Sequence, residues 1–239
     1  MNIKIPLNDQ IDDFAERCFR DMADQDYISA RLLYRAKLIP QFYWSGLQAL
    51  EKYFKAILLF NRIKARNISH DLKKAQNKLE QVPFDLSISD STQKLIEVFN
   101  KYGLSRYLDN TIIIDGLKLS YFDKAVWEIR RYCRAVKLTD NPDSIFFDTT
   151  IKEISDSEYP SSNQIKGGVL EKIIEDNSNR AREGLIWQNA FYGLRKRKMV
   201  RIPVYRKANF SPIDIFQKLI DEVEKYVQIP KSVKKEVKT

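Results

Sequence analysis

Gln41-Phe42-Tyr43-Trp44-Ser45-Gly46-Leu47-Gln48-Ala49-Leu50-Glu51-Lys52-Tyr53-Phe54-Lys55-Ala56-Ile57-Leu58-Leu59-Phe60 is a long apolar helix signal. Phe42, Leu47, Leu50, Phe54, Ile57 and Leu58 recur at helical spacing, with further apolar residues between them. A helix apolar nearly all round must be surrounded, so this one, running on to about Ile63, is expected at the centre of the fold or against a partner. Glu51 and Lys55 stand four apart and are expected to pair along its surface.

Working outward, a first helix is expected from Ile11 to Lys37. Phe14, Cys18, Met22, Ala23, Ala30, Leu33 and Tyr34 would form its inner face, with Cys18 a buried free thiol and Pro40 the stop. A third helix is expected to start at Ser69 as N-cap and run to about Gln81, before Pro83. A fourth runs from Ser91 to Tyr102, with Gly103 in the stop position. Thr111-Ile112-Ile113-Ile114-Asp115-Gly116 reads as a short hairpin arm turning at Asp-Gly. A fifth helix, Ser120 to Lys137, turns Ala125, Val126, Ile129, Tyr132 and Cys133 inward and Arg130, Arg131, Arg134 and Lys137 to solvent.

The expected fold class is therefore all-α: an up-and-down bundle of four to five helices over residues 8–138, with a helical C-terminal extension. Residues 139–167, rich in Asp, Ser, Asn and Pro, read as a connecting segment. Residues 168–229 form the helical and basic extension, interrupted near Asn177-Ser178-Asn179, extended over Arg201–Arg206, and restarting as a helix at Ser211-Pro212-Ile213-Asp214. Residues 230–239 are expected to be a mobile lysine-rich tail.

Composition agrees with long helices, since 239 residues contain only 7 glycines and 8 prolines. The N-terminal residues mix polar and acidic types and do not read as a secretory signal, and no apolar run is long enough for a membrane span. Cys18 and Cys133 match no metal or redox spacing, so a reducing cytoplasm is the expected setting. There is no Gly-rich phosphate loop, zinc motif or nucleophile elbow, and neither a metal nor a cofactor is expected. Gly167-Gly168 before a helix reads as a possible anion cradle. The net charge of +9 points to an anionic partner, and from Ala190 to Phe210 seven Lys or Arg occur without one acid.

Four segments, taken in order, resemble the HEPN family. They are Asp26-Tyr27-Ile28-Ser29-Ala30-Arg31, Leu47 to Ala56, Ser69-His70-Asp71-Leu72 and Arg106-Tyr107-Leu108-Asp109. The resemblance covers about residues 8–138. It implies a homodimeric helical bundle that handles RNA or nucleotides in toxin–antitoxin or phage-defence systems, often beside a nucleotidyltransferase partner. Catalytic members of the family are metal-independent RNases with an Arg, four to six residues, then His. Here Arg66 leaves three residues before His70 and Arg62 leaves seven, while Lys64 has the spacing without the guanidinium.

His70 is the sole histidine, so histidine chemistry has one possible location. It reads either as a first-turn helix residue or, with Arg66, as the catalytic pair of a divergent endoribonuclease. For binding, the expected residues are Arg31, Glu51 and Lys55 in the bundle, with Glu51 buried in a hydrogen-bonding role and Arg31 reaching Glu51 or an anion. Arg195, Lys196, Arg197, Lys198 and Arg201, interleaved with Tyr192 and Tyr205, read as a nucleic-acid surface. The expectation is binding of RNA or nucleotide without RNase activity; the alternatives are the divergent RNase and a non-catalytic dimerisation module.

Overall fold

A computed structural model describes residues 5–104, 111–115, 118–135, 145–155, 164–192, 206–215 and 219–226. The described residues are mainly helical. In order they form α1 (Leu7–Phe14), a π-helical turn (Ala15–Arg20), α2 (Asp21–Arg35), α3 (Ile39–Phe60), α4 (Leu72–Leu79), α5 (Asp90–Tyr102), β1 (Ile112–Asp115) and α6 (Lys118–Arg130). There follow α7 (Ile145–Ser155), α8 (Val169–Glu175), α9 (Arg182–Ile186), β2 (Arg206–Asn209), α10 (Pro212–Ile215) and α11 (Leu219–Val223).

The central helix is α3, as its pattern requires. Phe42, Tyr43, Leu47, Leu50, Tyr53 and Ile57 are wholly buried, and α3 packs on α2, α4, α5 and α6. Pro40 starts this helix instead of ending the previous one, because a first-turn proline loses no hydrogen bond. Gly46 lets α5 approach closely, since a Cβ there would overlap the Phe99 ring. Phe99 in turn stacks on Phe122 of α6 at 4.8 Å and meets Phe42 edge-on at 5.3 Å. Gly103 ends α5 with an ordinary right-handed φ of −63°. Its hydrogen Cα serves packing, because a Cβ would strike Leu47.

Four expectations are corrected. The π-helical turn takes more residues per turn and rotates the helix, so Ala15 and Arg20 face inward while Phe14, Cys18 and Met22 are exposed. Cys18 is thus not a buried thiol; Cys133 is. The isoleucine segment makes no local hairpin: β1 pairs antiparallel with β2, Ile112 opposite Asn209 and Asp115 opposite Arg206. A lone hairpin is marginal in water, whereas this ribbon joins distant parts of the chain. The 139–167 connection is helical over Ile145–Ser155.

The fourth correction concerns the last bundle helix, which stops at Arg130. Arg130 and Arg131 are buried, not solvated. The Arg131 guanidinium donates to the Glu128 carbonyl at 3.0 Å and the Ser87 carbonyl at 2.5 Å, and lies over the Trp127 and Tyr132 rings. Arg134 is half-buried and donates to the Arg131 carbonyl. Lys137 lies outside the described residues.

Candidate functional site

Two groups of charged side chains gather on the bundle. The first is interior. Arg130 donates from Nε and Nη2 to both carboxylate oxygens of Asp24, at 2.7 and 2.8 Å. Through Nη1 and Nη2 it also reaches Glu171 at 2.7 and 2.8 Å. Tyr53 donates its hydroxyl to Asp24 at 2.7 Å, and the Ile165 N–H donates to Glu171 at 3.0 Å. Burial would lower the Arg130 guanidinium, but Asp24 and Glu171 outweigh it and hold the group well above its ordinary value. Beside this cluster, Arg31 pairs with Asp123 and donates to the Gly184 and Trp187 carbonyls. Tyr27 donates to Asp123 at 2.7 Å and accepts from Asn189 at 2.8 Å.

This interior group bears on two site expectations. Arg31 does not reach Glu51; its guanidinium is buried and committed to the Asp123 carboxylate and two carbonyls. Gly168 packs against the Glu171 carboxylate and the Arg130 guanidinium, both of which a Cβ there would overlap. The chain's own ion pair occupies that space. The sequence does not assemble Asp24, Asp123, Glu171 and Arg130 as a cluster, because Asp24 and Glu171 stand far along the chain from the other two and Arg130 reads as solvated. The signal was present: Arg20, Asp24, Tyr27 and Arg31 recur at the spacing of Ala23, Ala30 and Tyr34.

The second group lies at the surface, on one stripe of α3 and the loop that follows. Glu51, only 3% exposed, bonds Lys55 through Oε1 at 2.5 Å and His70 through Oε2 at 2.6 Å. Burial would raise the Glu51 carboxyl, but the hydrogen bonds and charges of Lys55 and His70 outweigh it and hold it below its ordinary value. An ionised Glu51 can only accept, so His70 Nδ1 carries the proton in that bond. Gln48 Nε2 lies 3.0 Å from the same Nδ1 and cannot donate to it at the same time. His70 Nε2 is then a bare acceptor in the neutral ring, and it makes no hydrogen bond among the described residues. Trp44 meets the imidazole edge-on at 5.4 Å, and 42% of the histidine side chain is open to solvent. Lys52, one turn along the stripe from Gln48, pairs with Asp26 of α2.

The expected pairing of Glu51 with Lys55 is therefore present, and His70 joins it. The expectation of His70 as a first-turn residue is corrected. The N-cap of α4 is Asp71, whose Oδ1 accepts from the Lys73 and Lys74 N–H groups at 3.1 Å each. Ser69 and His70 precede the helix with left-handed φ of 45° and 61°, and Asn67 has φ 64°. Three non-glycine residues in that region within four positions is costly backbone, of the kind that places a side chain where regular structure cannot. Arg66 is exposed in this same loop, and because α4 begins at Leu72 it shares no helical face with His70.

Arg195, Lys196, Arg197, Lys198 and Arg201 lie outside the described residues, as do Arg106 to Asp109. Among the described residues no group of three or more His, Cys, Asp or Glu side chains could hold a metal ion. Among the described residues no helix is long and apolar enough to cross a membrane. No protein-family model, curated protein or solved structure matches the chain.

Proposed function

We propose that the chain is a HEPN-like protein that binds RNA or nucleotide, with the Glu51–His70–Lys55 stripe as part of the contact surface. The observation that carries this reading is the half-exposed imidazole held at Nδ1 by a buried carboxylate, whose other oxygen bonds the Lys55 ammonium, with the Trp44 indole edge-on to the ring. Such a group offers a directed acceptor, a positive charge and an aromatic edge, which suits a phosphate, a ribose hydroxyl or a base. Support also comes from the order of the four HEPN-like segments and from the net charge of +9. The setting proposed is prokaryotic toxin–antitoxin or phage defence, as a homodimer and beside a nucleotidyltransferase partner.

A second reading is favoured by the same Nδ1 bond. RNA cleavage needs a base for the 2′-hydroxyl proton and a cation for the phosphorane charge. His70 Nε2 and Arg66 or Lys55 supply those types without a metal. Binding alone stays first because the Arg-to-His spacing departs from the catalytic pattern and α4 starts too late to align Arg66 with His70.

One experiment separates the two. Fluorescence anisotropy with a single-stranded RNA oligonucleotide and with nucleoside phosphates, in EDTA, is expected to show salt-sensitive binding weakened in His70→Ala. The same mixtures are run on a gel. Intact RNA upholds binding without cleavage; RNA cut by the wild type and spared by His70→Ala replaces it with the RNase. Absence of binding to either ligand at low salt removes both.

A further inference from the structure

The proposed reading leaves open which surface carries the strand, and the chain offers a basic segment that its total charge conceals. Residues 62–78 hold six Lys or Arg and a single acid, Asp71. That acid is spent on the helix cap, with Oδ1 on the Lys73 and Lys74 N–H groups and Oδ2 3.8 Å from Lys74 Nζ. Arg62 is held by Asp12 and the Asn8 carbonyl, and Lys78 donates to the Lys64 carbonyl at 2.8 Å, tying the loop to the end of α4. Lys64, Arg66, Lys73 and Lys74 remain exposed. Lys73 and Lys74 also sit in the first turn of α4, where the helix dipole disfavours a cation. A phosphate between them would offset that repulsion.

Lys73 also borders a groove of about 480 Å³ beside α4. Phe54, Leu79 and Phe84 provide apolar surface, and Gln76 and Gln93 bond each other's amides at 2.8 and 3.3 Å; Glu80 and Asp85 also line the groove, so its interior suits a base and not a phosphate. Phe84 is stacked on Tyr132 and so is held in place. Amides that pair with one another can equally pair with the edge of a base, and a recess of this size admits one.

Resting on the RNA-binding reading above, we infer that the 62–78 segment and the groove beside α4 form the track for single-stranded RNA. Lys64, Arg66 and Lys74 contact successive phosphates, Lys73 guards the groove mouth, and the groove takes one unstacked base. Lys64, Arg66, Lys73 and Lys74, exposed within one short segment, favour an anionic ligand, and the adjoining groove with its Phe54 and Phe84 rings favours a nucleic acid over an acidic protein.

The test uses the full chain and a single-stranded RNA 12-mer in a salt titration. K64Q/R66Q/K73Q/K74Q is expected to weaken binding about ten- to hundredfold at moderate salt. The slope of log affinity against log salt should shrink by about 2 to 3, at about 0.7 per lost phosphate contact. Far-ultraviolet circular dichroism confirms that the variant is folded, and a parallel R195Q/K196Q/R197Q/K198Q protein serves as the comparison. Unchanged affinity and slope in the 62–78 variant, with wild-type RNA binding intact, would overturn the track while leaving the functional reading standing. A wild type that ignores RNA but binds polyglutamate through these lysines would overturn both.

Discussion

Two charged clusters lie on one scaffold, and they differ in what they leave open. The interior cluster of Asp24, Arg130 and Glu171 gives both Arg130 ends a carboxylate, and Tyr53 and the Ile165 N–H take further positions. With Arg31 and Asp123 beside it, it is nearly closed; Asp123 Oδ2 alone lacks a hydrogen bond among these carboxylates. The surface cluster also joins a buried carboxylate to basic side chains, Glu51 to Lys55 and His70, but it ends on a half-exposed ring whose Nε2 makes no hydrogen bond among the described residues. Burial makes each unmet lone pair costly, so the first cluster closes almost wholly on itself and holds the chain together. Partial exposure permits an unmet group or a pair that can exchange partners, and either can take a ligand.

The sharpest way to break this contrast is Arg130→Met. It strands two buried carboxylates and should destabilise the protein by about 3–5 kcal/mol, read by urea denaturation. A loss no larger than that of a surface substitution would mean the interior cluster is not what joins residues 164–192 to the bundle. Next in size is Glu171→Gln, expected to cost about 2 kcal/mol at neutral pH through loss of charge-assisted bonds. Its pH dependence has a definite sign. Burial raises the Glu171 carboxyl, yet the Arg130 bonds and charge outweigh it and set it below the ordinary value. The native state therefore binds this proton less tightly than the unfolded chain. The stability it contributes is complete above the ordinary glutamate range and is lost as pH falls through the folded value. Glu171→Gln should flatten that acid limb of the stability curve; an identical acid limb in the two proteins would contradict the assignment. The smallest effect is expected at the surface, where His70→Ala should change stability by about 0.5 kcal/mol or less, because the pair it breaks is partly solvated. A thermal melt showing a large drop would make His70 a structural residue.

The helices were legible where burial and apolarity coincide. Residues 41–60 could only be a surrounded helix, and α5 begins and ends within two residues of its sequence signals, Ser91 and Gly103, with Ser89 as the observed cap and Gly103 permitting contact with Leu47. The pattern failed where these properties separate. Phe14, Cys18 and Met22 have the right spacing for an inner face, but a π-helical turn shifts the phase, and no local propensity announces it. Arg130 reads as solvent-facing, and Arg31 as a contact of Glu51 or an anion, because an isolated guanidinium cannot be buried; that each has a carboxylate waiting about 90 to 110 positions away is a fact of three dimensions. Ser69 looked like the cap since serine suits that role, while Asp71, two residues on, makes the bonds.

At the surface site the sequence supplied Glu51 and Lys55 as an i, i+4 pair, His70 as the lone imidazole, and the basic residues around it. It could not join His70 to Glu51, nineteen positions earlier, because that bond depends on left-handed backbone at Ser69 and His70 turning the ring back onto α3. By itself, then, the sequence determined a helical fold with α3 at its centre, since periodic apolar side chains have no other way to leave water. The tertiary structure decided which charges close on one another and which stay open. An ion pair's environment is set by everything packed around it, and that is not a property of either residue alone.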